Sequence, residues 1–322
     1  LILNISRAIQ FQQCRRKAYN RDILQLLPTR EADALMLGGA FHVGSAILHA
    51  SRDVETAVKA TEAEFRKRLE GQMILPEEWP LIEHQIEQAK AGVRAYSENF
   101  LPDFQILQPE VEFMVELPNT KHHCWFAHRV LYPDRPFSDC RFQGGPKELR
   151  CWQSHWLRGR TDAVIKWNKL IWLLETKTTA ITGDIFYKRW FLDFQPTAYI
   201  YGIWKSTNLR PHGFILNIVK KPNKRAHDQF AFGFEREPYL RSDEDLAEFE
   251  SEITMIAEDY EDAMRMKRVY KNPSSCIAYN RTCYYWDMCK RHHVPGDGEF
   301  RKREKDYVDL AYYKLLGLEV PV

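Results

Sequence analysis

No run of eighteen or more apolar residues occurs in the 322-residue chain, so no segment reads as an uninterrupted membrane-spanning helix. The opening stretch, LILNISRAIQFQQCRRK, turns polar too early for a secretory signal. An internal repeat or low-complexity tract is also missing, which sets aside solenoids and long disordered arms. Excess charge of one sign is absent too, since 46 Lys and Arg stand against 44 Asp and Glu. Any nucleic-acid surface must therefore come from local segregation of charge. Apolar material is plentiful: 44% of the residues are hydrophobic and 13% aromatic, enough for one large core or two small ones. The expectation is a cytoplasmic protein without a membrane partner, and a start at Leu1 rather than Met suggests that residues precede it. Seven cysteines are an odd count. Without an export signal thiols stay reduced, so metal or cluster ligation is expected ahead of disulfides.

Periodicity predicts a helical N-terminal third. Helices are expected over 6–21 with Ser6 as N-cap, over 31–50 softened by Gly38-Gly39, and over 53–70 and 77–100. From 109 the sequence PEVEFMVEL alternates as a strand does, whereas 118–156 shows no period and reads as an insertion or long loop. WLRGRTDAVIKW and LIWLLETKT read as two strands joined by Asn168-Lys169. A helix over 195–206, a strand over 213–219, a basic turn KKPNKR, a strand FAFGFER and a helix over 243–268 follow. The tail from 273 is rich in Cys and aromatics.

If Asn168 and Lys169 form the hairpin loop, Asp162 falls directly across from Glu175. Opposed side chains of this kind have Cβ atoms about 5 Å apart, and two like charges there are destabilising unless a cation lies between them. Alternation puts Lys177 on the face of Glu175 and Arg160 on the face of Asp162. It leaves Ile165, Trp167, Leu170, Trp172 and Leu174 on the opposite face, against the core. Two carboxylates beside a lysine make a site for a hard divalent cation. The alternative is a pair of ordinary strand-end charges, or a register one residue away that sends one carboxylate to the other face.

GRTD followed by LLETKTT resembles the core of the PD-(D/E)XK nucleases, with Asp162, Glu175 and Lys177 in the places of their Asp and Glu-x-Lys. Thr161 stands where that motif has Pro. GGAFHVG with His42, and Gln195 with Tyr199 in a Gln-x-x-x-Tyr spacing, are similar to the upstream histidine and downstream signature of the RecB-like branch. The Gln-x-x-x-Tyr spacing puts both side chains on one helical face. The resemblance implies one or two Mg2+ or Mn2+ ions held by His42, Asp162, Glu175 and the backbone carbonyl of Thr176. It implies Lys177 as the group that orients or activates the attacking water or stabilises developing charge. Gln195, Tyr199 and Arg160 are then candidates for holding DNA or the geometry of the site.

Cys276, Cys283 and Cys289, spaced C-x6-C-x5-C, lie far from Cys14 in FQQCRRKAY. One distant cysteine joined to a C-terminal trio resembles the iron-sulfur nucleases of the AddB and CRISPR-associated RecB-like families. The resemblance implies a 4Fe-4S cluster that clasps the two ends of the chain, with zinc as the competing occupant. Cys124, Cys140 and Cys151, with His122, His123, His128 and His155, match no compact motif, and free thiols with exposed histidines are the default there. The basic run Arg15, Arg16, Lys17 is a candidate phosphate contact or simply a solvated face.

The expected fold is α/β: a restriction-endonuclease-like core with a central mixed sheet flanked by helices, an N-terminal helical part and an iron-sulfur tail. The expected division is 1–108, helical and carrying Cys14 and His42; 109–240, the nuclease core with its insertion at about 118–156; and 241–322, the helix and cysteine-rich tail. The implied activity is metal-dependent hydrolysis of DNA, exonucleolytic rather than endonucleolytic and single-stranded or end-processing, in recombination, repair, phage DNA metabolism or CRISPR adaptation, with partner proteins from those processes. The competing class is a zinc- or cluster-stabilised nucleic-acid-binding or assembly protein with a vestigial nuclease site.

Overall fold

The computed structural model describes residues 1–99, 104–118, 155–180, 182–222, 231–278, 281–291 and 300–302. The predicted insertion lies outside them apart from its first residue and its last two, so Cys124, Cys140, Cys151, His122, His123 and His128 are not among the described residues. The same holds for the second half of KKPNKR.

The chain opens with strand β1 (Ile2–Asn4) and helix α1 (Ile5–Gln13). Asn4, not Ser6, caps α1, its side-chain oxygen accepting from the Arg7 amide at 2.8 Å. The helix expected over 6–21 is two helices, because Cys14 takes an extended backbone (φ −163°, ψ 113°) before α2 (Arg15–Asp22) restarts. Strand β2 (Leu26–Pro28) is followed by α3 (Asp33–Ser51), α4 (Val54–Leu69) and α5 (Trp79–Asn99). Helix α3 runs unbroken through Gly38-Gly39, where the burial of Met36, Leu37, Ala40 and Phe41 outweighs a cost of about 1 kcal/mol per glycine. Next come β3 (Gln105–Glu116), β4 (Trp156–Trp167), β5 (Leu170–Thr179), the short α6 (Asp184–Lys188), α7 (Phe194–Thr207) and β6 (Gly213–Lys220). Strand β7 (Gly233–Leu240) starts and ends later than expected, and its Pro238 is tolerated because β7 lies at the edge of the sheet. Helix α8 (Asp243–Arg265) precedes β8 (Ile277–Ala278), β9 (Arg281–Thr282), α9 (Trp286–Arg291) and β10 (Phe300–Lys302).

The contacts divide the chain into two units, Leu1–Thr29 with Glu116–Arg158 and Glu250–Val322, and Arg30–Val115 with Gly159–Phe249. In the first, β1 runs parallel to the first three residues of β4, β10 pairs antiparallel with β2, and β8 and β9 form a small hairpin. Phe11 meets Tyr260 edge-on at 5.2 Å, and the Tyr260 hydroxyl donates to the buried Asp22 carboxylate at 3.1 Å. Tyr285 stacks on Phe300 at 5.4 Å and donates to the Leu26 carbonyl at 2.6 Å.

The second unit holds a mixed sheet. Strand β3 pairs with β4, β4 is antiparallel to β5, β5 parallel to β6 and β6 antiparallel to β7. Helix α3 is long and apolar enough to cross a membrane by length and composition, although no wholly apolar run exists in it. In this unit it is a core helix: Met36, Leu37 and Ala40 pack with Phe65, Leu69, Ile82 and Ile86 of α4 and α5, and Phe41 and Leu48 with Val58, Val93 and Tyr96. A third cluster, Phe104, Ala163, Ile165, Trp172, Leu174 and Ile215, with Trp167 beside it, covers the apolar face expected of the hairpin. Leu170 is the exception, since it sits at the tip of the hairpin and is 38% exposed.

Asn168 (φ 49°) and Lys169 (φ 66°) both occupy the left-handed region. Two such residues make the type I′ turn, whose twist matches that of the strands it joins. The ladder accordingly takes the expected register, from Trp167↔Leu170 to Ala163↔Leu174. A lysine in the left-handed region is strained, and glycine there is not. Lys169→Gly is therefore expected to raise unfolding stability by about 0.5–1 kcal/mol, the left-handed strain removed less the entropy that glycine adds to the unfolded chain. Urea denaturation measures it, and a loss of stability would contradict the turn assignment.

Candidate active site

At the open end of this hairpin the β4–β5 ladder stops, while β5 pairs on its other edge with β6 from Leu173↔Phe214 to Thr179↔Lys220. Asp162 lies one position past the last β4–β5 pair, and its Oδ2 accepts from the Thr176 amide at 2.7 Å. A carboxylate thus takes the backbone donor that a ladder carbonyl would otherwise satisfy, a charge-assisted bond of about 1.5–3 kcal/mol. His42, on α3, approaches the other oxygen, with Nδ1 3.4 Å from Asp162 Oδ1. Glu175 is buried and pairs through Oε1 with the Lys177 ammonium. Lys177 Nζ also donates to Gln195 Oε1 at 3.4 Å, and Gln195 Nε2 donates to the Tyr199 hydroxyl at 2.8 Å. His42, Asp162, Glu175, Thr176, Lys177, Gln195 and Tyr199 therefore form one connected cluster from α3, β4, β5 and α7.

The ionisations fit the contacts. Burial pushes the Asp162 carboxyl up, but the His42 imidazolium and the Lys177 ammonium outweigh it and hold Asp162 well below the usual carboxylate range. Burial pushes His42 down, and Asp162 more than reverses this, so the imidazole is easier to protonate than usual. For Glu175 burial wins over Lys177 and its carboxyl is raised. For Lys177 burial is overcome by Glu175 and the ammonium is held charged. The side chains of His42 and Asp162 remain 32% and 23% exposed, so the cluster opens to solvent on that side.

Other elements hold the cluster in place. Asp193 caps α7, its Oδ1 accepting from the Gln195 amide at 3.0 Å, which fixes the start of the helix that carries Gln195 and Tyr199. Phe113 stands edge-on to Tyr199 at 6.1 Å. It fits because Gly159 and Gly202 lack a Cβ, which would lie 2.5 and 2.1 Å from its ring. Beneath the site, His49 Nε2 is 3.0 Å from the Tyr96 hydroxyl, Asn217 Nδ2 donates to that hydroxyl at 3.2 Å, and Arg236 Nε donates to Asn217 Oδ1 at 3.0 Å. Burial pushes His49 down to about 4, so it is a neutral ring at physiological pH. The Lys177 ammonium lies 5.8 Å from the centroid of the buried Trp190. Sequence reasoning missed His49, Tyr96, Trp190, Asp193 and Asn217. Only Asp193 carried a signal, an Asp immediately ahead of a helical stretch.

Arg160 pairs with Glu110, 2.9 Å away, and more than half of its side chain is exposed. Arg15 and Arg16 belong to the other unit, where Arg15 lies 3.1 Å from Asp259 and over the Phe11 and Tyr270 rings, and Arg16 Nε donates to the Val269 carbonyl at 2.6 Å. Cys14, Cys276, Cys283 and Cys289 are in that unit as well, all free thiols and half-buried. Asn272 donates to the Gln13 carbonyl at 2.8 Å, the Arg16 amide to the Tyr270 carbonyl at 3.2 Å and the Cys283 amide to the Cys276 carbonyl at 2.8 Å. Burial raises the Cys283 thiol, and the charges of Cys14 and Cys276 raise it further. Burial raises Cys289, with Cys283 and Cys14 adding to it against Arg16. His155, also in this unit, is buried with Nε2 3.5 Å from Glu261.

Among the described residues no three His, Cys, Asp or Glu side chains stand, as they are, in an arrangement that would hold a metal ion. The two carboxylates are instead closed on the protein's own cations, His42 and Lys177. In kind the donors suit a hard divalent cation, being carboxylate oxygens and one imidazole nitrogen. A buried Glu175 raised by desolvation is an anion that such a cation would relieve.

A mixed sheet that brings two carboxylates and a lysine to one solvent-open cluster defines an α/β enzyme of the carboxylate–lysine type. The chain belongs to the PD-(D/E)XK nuclease superfamily, whose family model matches residues 2–290. A search of curated proteins finds no match. Among solved structures the chain is similar to a candidate exonuclease from Eubacterium rectale, with 12% identity, 96% of this chain and 92% of that chain covered, and a TM-score of 0.46. It is also similar to a protein named SSO0001, with 14% identity, 77% and 84% coverage and a TM-score of 0.25. At these scores neither likeness bears on function.

The Glu175–Lys177 pair has a measurable signature. In metal-free protein Lys177→Met leaves a buried carboxylate without its counter-charge and is expected to cost about 3 kcal/mol. In a Glu175→Gln background the same change is expected to cost far less, since no buried anion remains. A urea-denaturation double-mutant cycle in EDTA reads the difference, and equal costs in both backgrounds would mean that Lys177 acts through packing alone.

Proposed function

We propose that this chain is a Mg2+- or Mn2+-dependent deoxyribonuclease of the RecB-like branch, cytoplasmic and acting from DNA ends as an exonuclease. The observation that carries the reading is the pair of polar chains His42–Asp162–Thr176 and Glu175–Lys177–Gln195–Tyr199, which meet at the adjacent residues Glu175 and Thr176. His42, Asp162, Glu175 and the Thr176 carbonyl would hold the metal. When bound, a divalent cation supplies Lewis-acid stabilisation of phosphate charge and lowers the pKa of water.

The chain's own groups do the rest. Asp162 is anchored by the Thr176 amide, so one of its oxygens is fixed while the other faces His42. Lys177, kept charged by Glu175, places an ammonium where it can orient water or stabilise a phosphorane's added negative charge. Gln195 restrains that ammonium and is itself restrained by Tyr199. Arg160, exposed beside the strand that carries Asp162, is proposed to contact the DNA backbone, and Arg15 and Arg16 to contribute further phosphate contacts from the other unit. The partners that follow are DNA and proteins of recombination, repair, phage DNA metabolism or CRISPR adaptation.

In the other unit we propose that Cys14, Cys276, Cys283 and Cys289 ligate a 4Fe-4S cluster, with zinc as the competitor. Two observations support this. Cys14 and Cys276 lie close enough to Cys283, and Cys14 and Cys283 to Cys289, to help burial raise those two thiols, and hydrogen bonds from Asn272 and Arg16 join the Cys14 bend to the segment that precedes Cys276.

Asp162→Ala, Glu175→Ala and Lys177→Ala are each expected to reduce cleavage of end-labelled linear DNA with Mg2+ or Mn2+ by about 10²-fold or more. Near-wild-type cleavage by Glu175→Ala would overturn the mechanism, and equal cleavage of circular and linear DNA would overturn the exonuclease assignment.

Iron and sulfide analysis of all seven Cys→Ser variants, prepared without oxygen, tests the cluster. Serine at 14, 276, 283 or 289 is expected to abolish iron binding, while serine at 124, 140 or 151 leaves it unchanged. Stoichiometric zinc without iron would assign the four thiols to zinc.

A further inference from the structure

Two of the groups proposed to hold the metal come from different elements, His42 from α3 and the Thr176 carbonyl from β5. Ladder pairing fixes Thr176 within the sheet, opposite Asn217 of β6. A helix, by contrast, spends its backbone hydrogen bonds on itself, so nothing but side chains can set where α3 lies on the face of the sheet.

Tyr96, from α5, stands at that contact. It is buried among Phe41 and Leu48 of α3 and Val219 of β6, and its ring meets Phe41, the neighbour of His42, edge-on at 5.7 Å. Its hydroxyl lies between three buried polar side chains from three elements. His49 Nε2, two helical turns beyond His42 on the same face of α3, is 3.0 Å away. Asn217 Nδ2 donates to it at 3.2 Å, and the Thr176 side chain hydrogen-bonds with it as well.

Each proton in this group has a place. Arg236 donates to Asn217 Oδ1, so the amide nitrogen is the end that faces Tyr96. His49 Nδ1 is buried with no hydrogen-bond partner among the described residues, so the one proton of the neutral ring is assigned to Nε2, where the tyrosine oxygen accepts it. That oxygen therefore accepts from α3 and from β6, and its own proton is left to donate to Thr176 Oγ1 on β5. An apolar group of the same shape could fill the space with little change in stability, because hydrogen bonds exchanged for matched apolar contacts are nearly neutral. Such a group would not fix direction, whereas a fully satisfied polar network does.

We propose that Tyr96 is a positioning residue of the metal site: its hydroxyl pins α3 to the β5–β6 pair through His49, Thr176 and Asn217, and so holds His42 at its distance from Asp162 and from the Thr176 carbonyl. Being buried, Tyr96 touches neither metal nor DNA. The proposal rests on the metal-dependent nuclease reading and deepens it by naming what sets the spacing of the ligands.

The test is Mn2+ binding to the full chain without DNA, read from the electron paramagnetic resonance signal of the free ion, beside urea denaturation of each variant in EDTA. Tyr96→Phe removes a single oxygen and is expected to weaken Mn2+ binding by about 10-fold, within the range in which outer-shell partners act. His49→Leu is expected to weaken it similarly, and His49→Gln, whose amide nitrogen can stand where Nε2 does, to restore most of the affinity. Tyr260→Phe, which removes a buried hydroxyl from the other unit, is expected to lose stability without any change in Mn2+ binding. Wild-type Mn2+ affinity in Tyr96→Phe overturns the proposal whatever happens to its stability, because a merely structural hydroxyl moves only the denaturation midpoint. Equal losses in His49→Gln and His49→Leu overturn it too, since they trace the effect to the shape of the ring and not to its hydrogen bond. Should Tyr96→Phe fail to fold, the two His49 variants decide alone. Asp162→Asn separates the proposal from the reading beneath it. If Asp162→Asn loses Mn2+ while Tyr96→Phe keeps it, the positioning role falls and the metal site stands. A wild type that binds no Mn2+, or binds it as tightly after Asp162→Asn, removes both together.

Discussion

The bond from the Thr176 amide to the Asp162 carboxylate is the constraint on which the site depends. It forms where the β4–β5 ladder ends at Ala163↔Leu174 while β5, on its other edge, stays paired with β6 as far as Thr179. Where pairing stops along one edge of a strand, backbone donors on that edge lose their ladder acceptors, and a buried unpaired amide costs free energy comparable to a lost hydrogen bond. A carboxylate at that position satisfies the donor and is fixed by it. The same divergence leaves room between the strands for groups other than backbone, and His42, Glu175 and Lys177 converge there. The turn at Asn168 and Lys169 determines which residue reaches that point, because a slip of one residue would send Asp162 to the other face.

Charge compensation explains how so polar a cluster is tolerated inside an α/β core. Two carboxylates brought together would each resist ionisation, and without cations both would be driven toward the neutral form. Here the His42–Asp162 and Glu175–Lys177 pairs divide the task unequally. Asp162 remains the stronger acid because it has the amide and two cations, whereas the more deeply buried Glu175 is raised. Behind them His49, Tyr96, Asn217 and Arg236 form a hydrogen-bonded network between α3, α5, β6 and β7, in which His49 is kept neutral by burial.

The two units use the chain differently. One concentrates its polar chemistry on the sheet, where strands fix side chains to within a fraction of an ångström through paired backbone. The other carries Cys14 at the bend between two short helices and Cys276, Cys283 and Cys289 along a segment of short, irregular elements. Short elements of that kind gain most from a cross-link, since terminal segments otherwise fray.

The sequence by itself determined the features that repeat over short distances. Alternation with Asn168-Lys169 as the loop was enough to put Asp162 and Glu175 on one face and to assign Ile165, Trp172 and Leu174 to the core, because a two-residue loop ties the register to the turn. Helical spacing likewise placed Gln195 and Tyr199 on one face, and they are hydrogen-bonded in the structure. Local signals failed where neighbours far along the chain decide the outcome. The break at Cys14 interrupts a helix whose residues have no local reason to stop, and β7 runs on through Pro238 where, among the described residues, no strand pairs on its outer edge. Leu170 reads as core by alternation and is exposed because the hairpin tip extends beyond the cluster. Tertiary structure alone decided that Trp190 lies under Lys177, that His49 reaches Tyr96, and that Asn217, paired with Thr176, carries the network behind the site. These are contacts between residues 13 to 121 positions apart, and no periodicity in a sequence encodes which distant side chain will fill the space beside a given one.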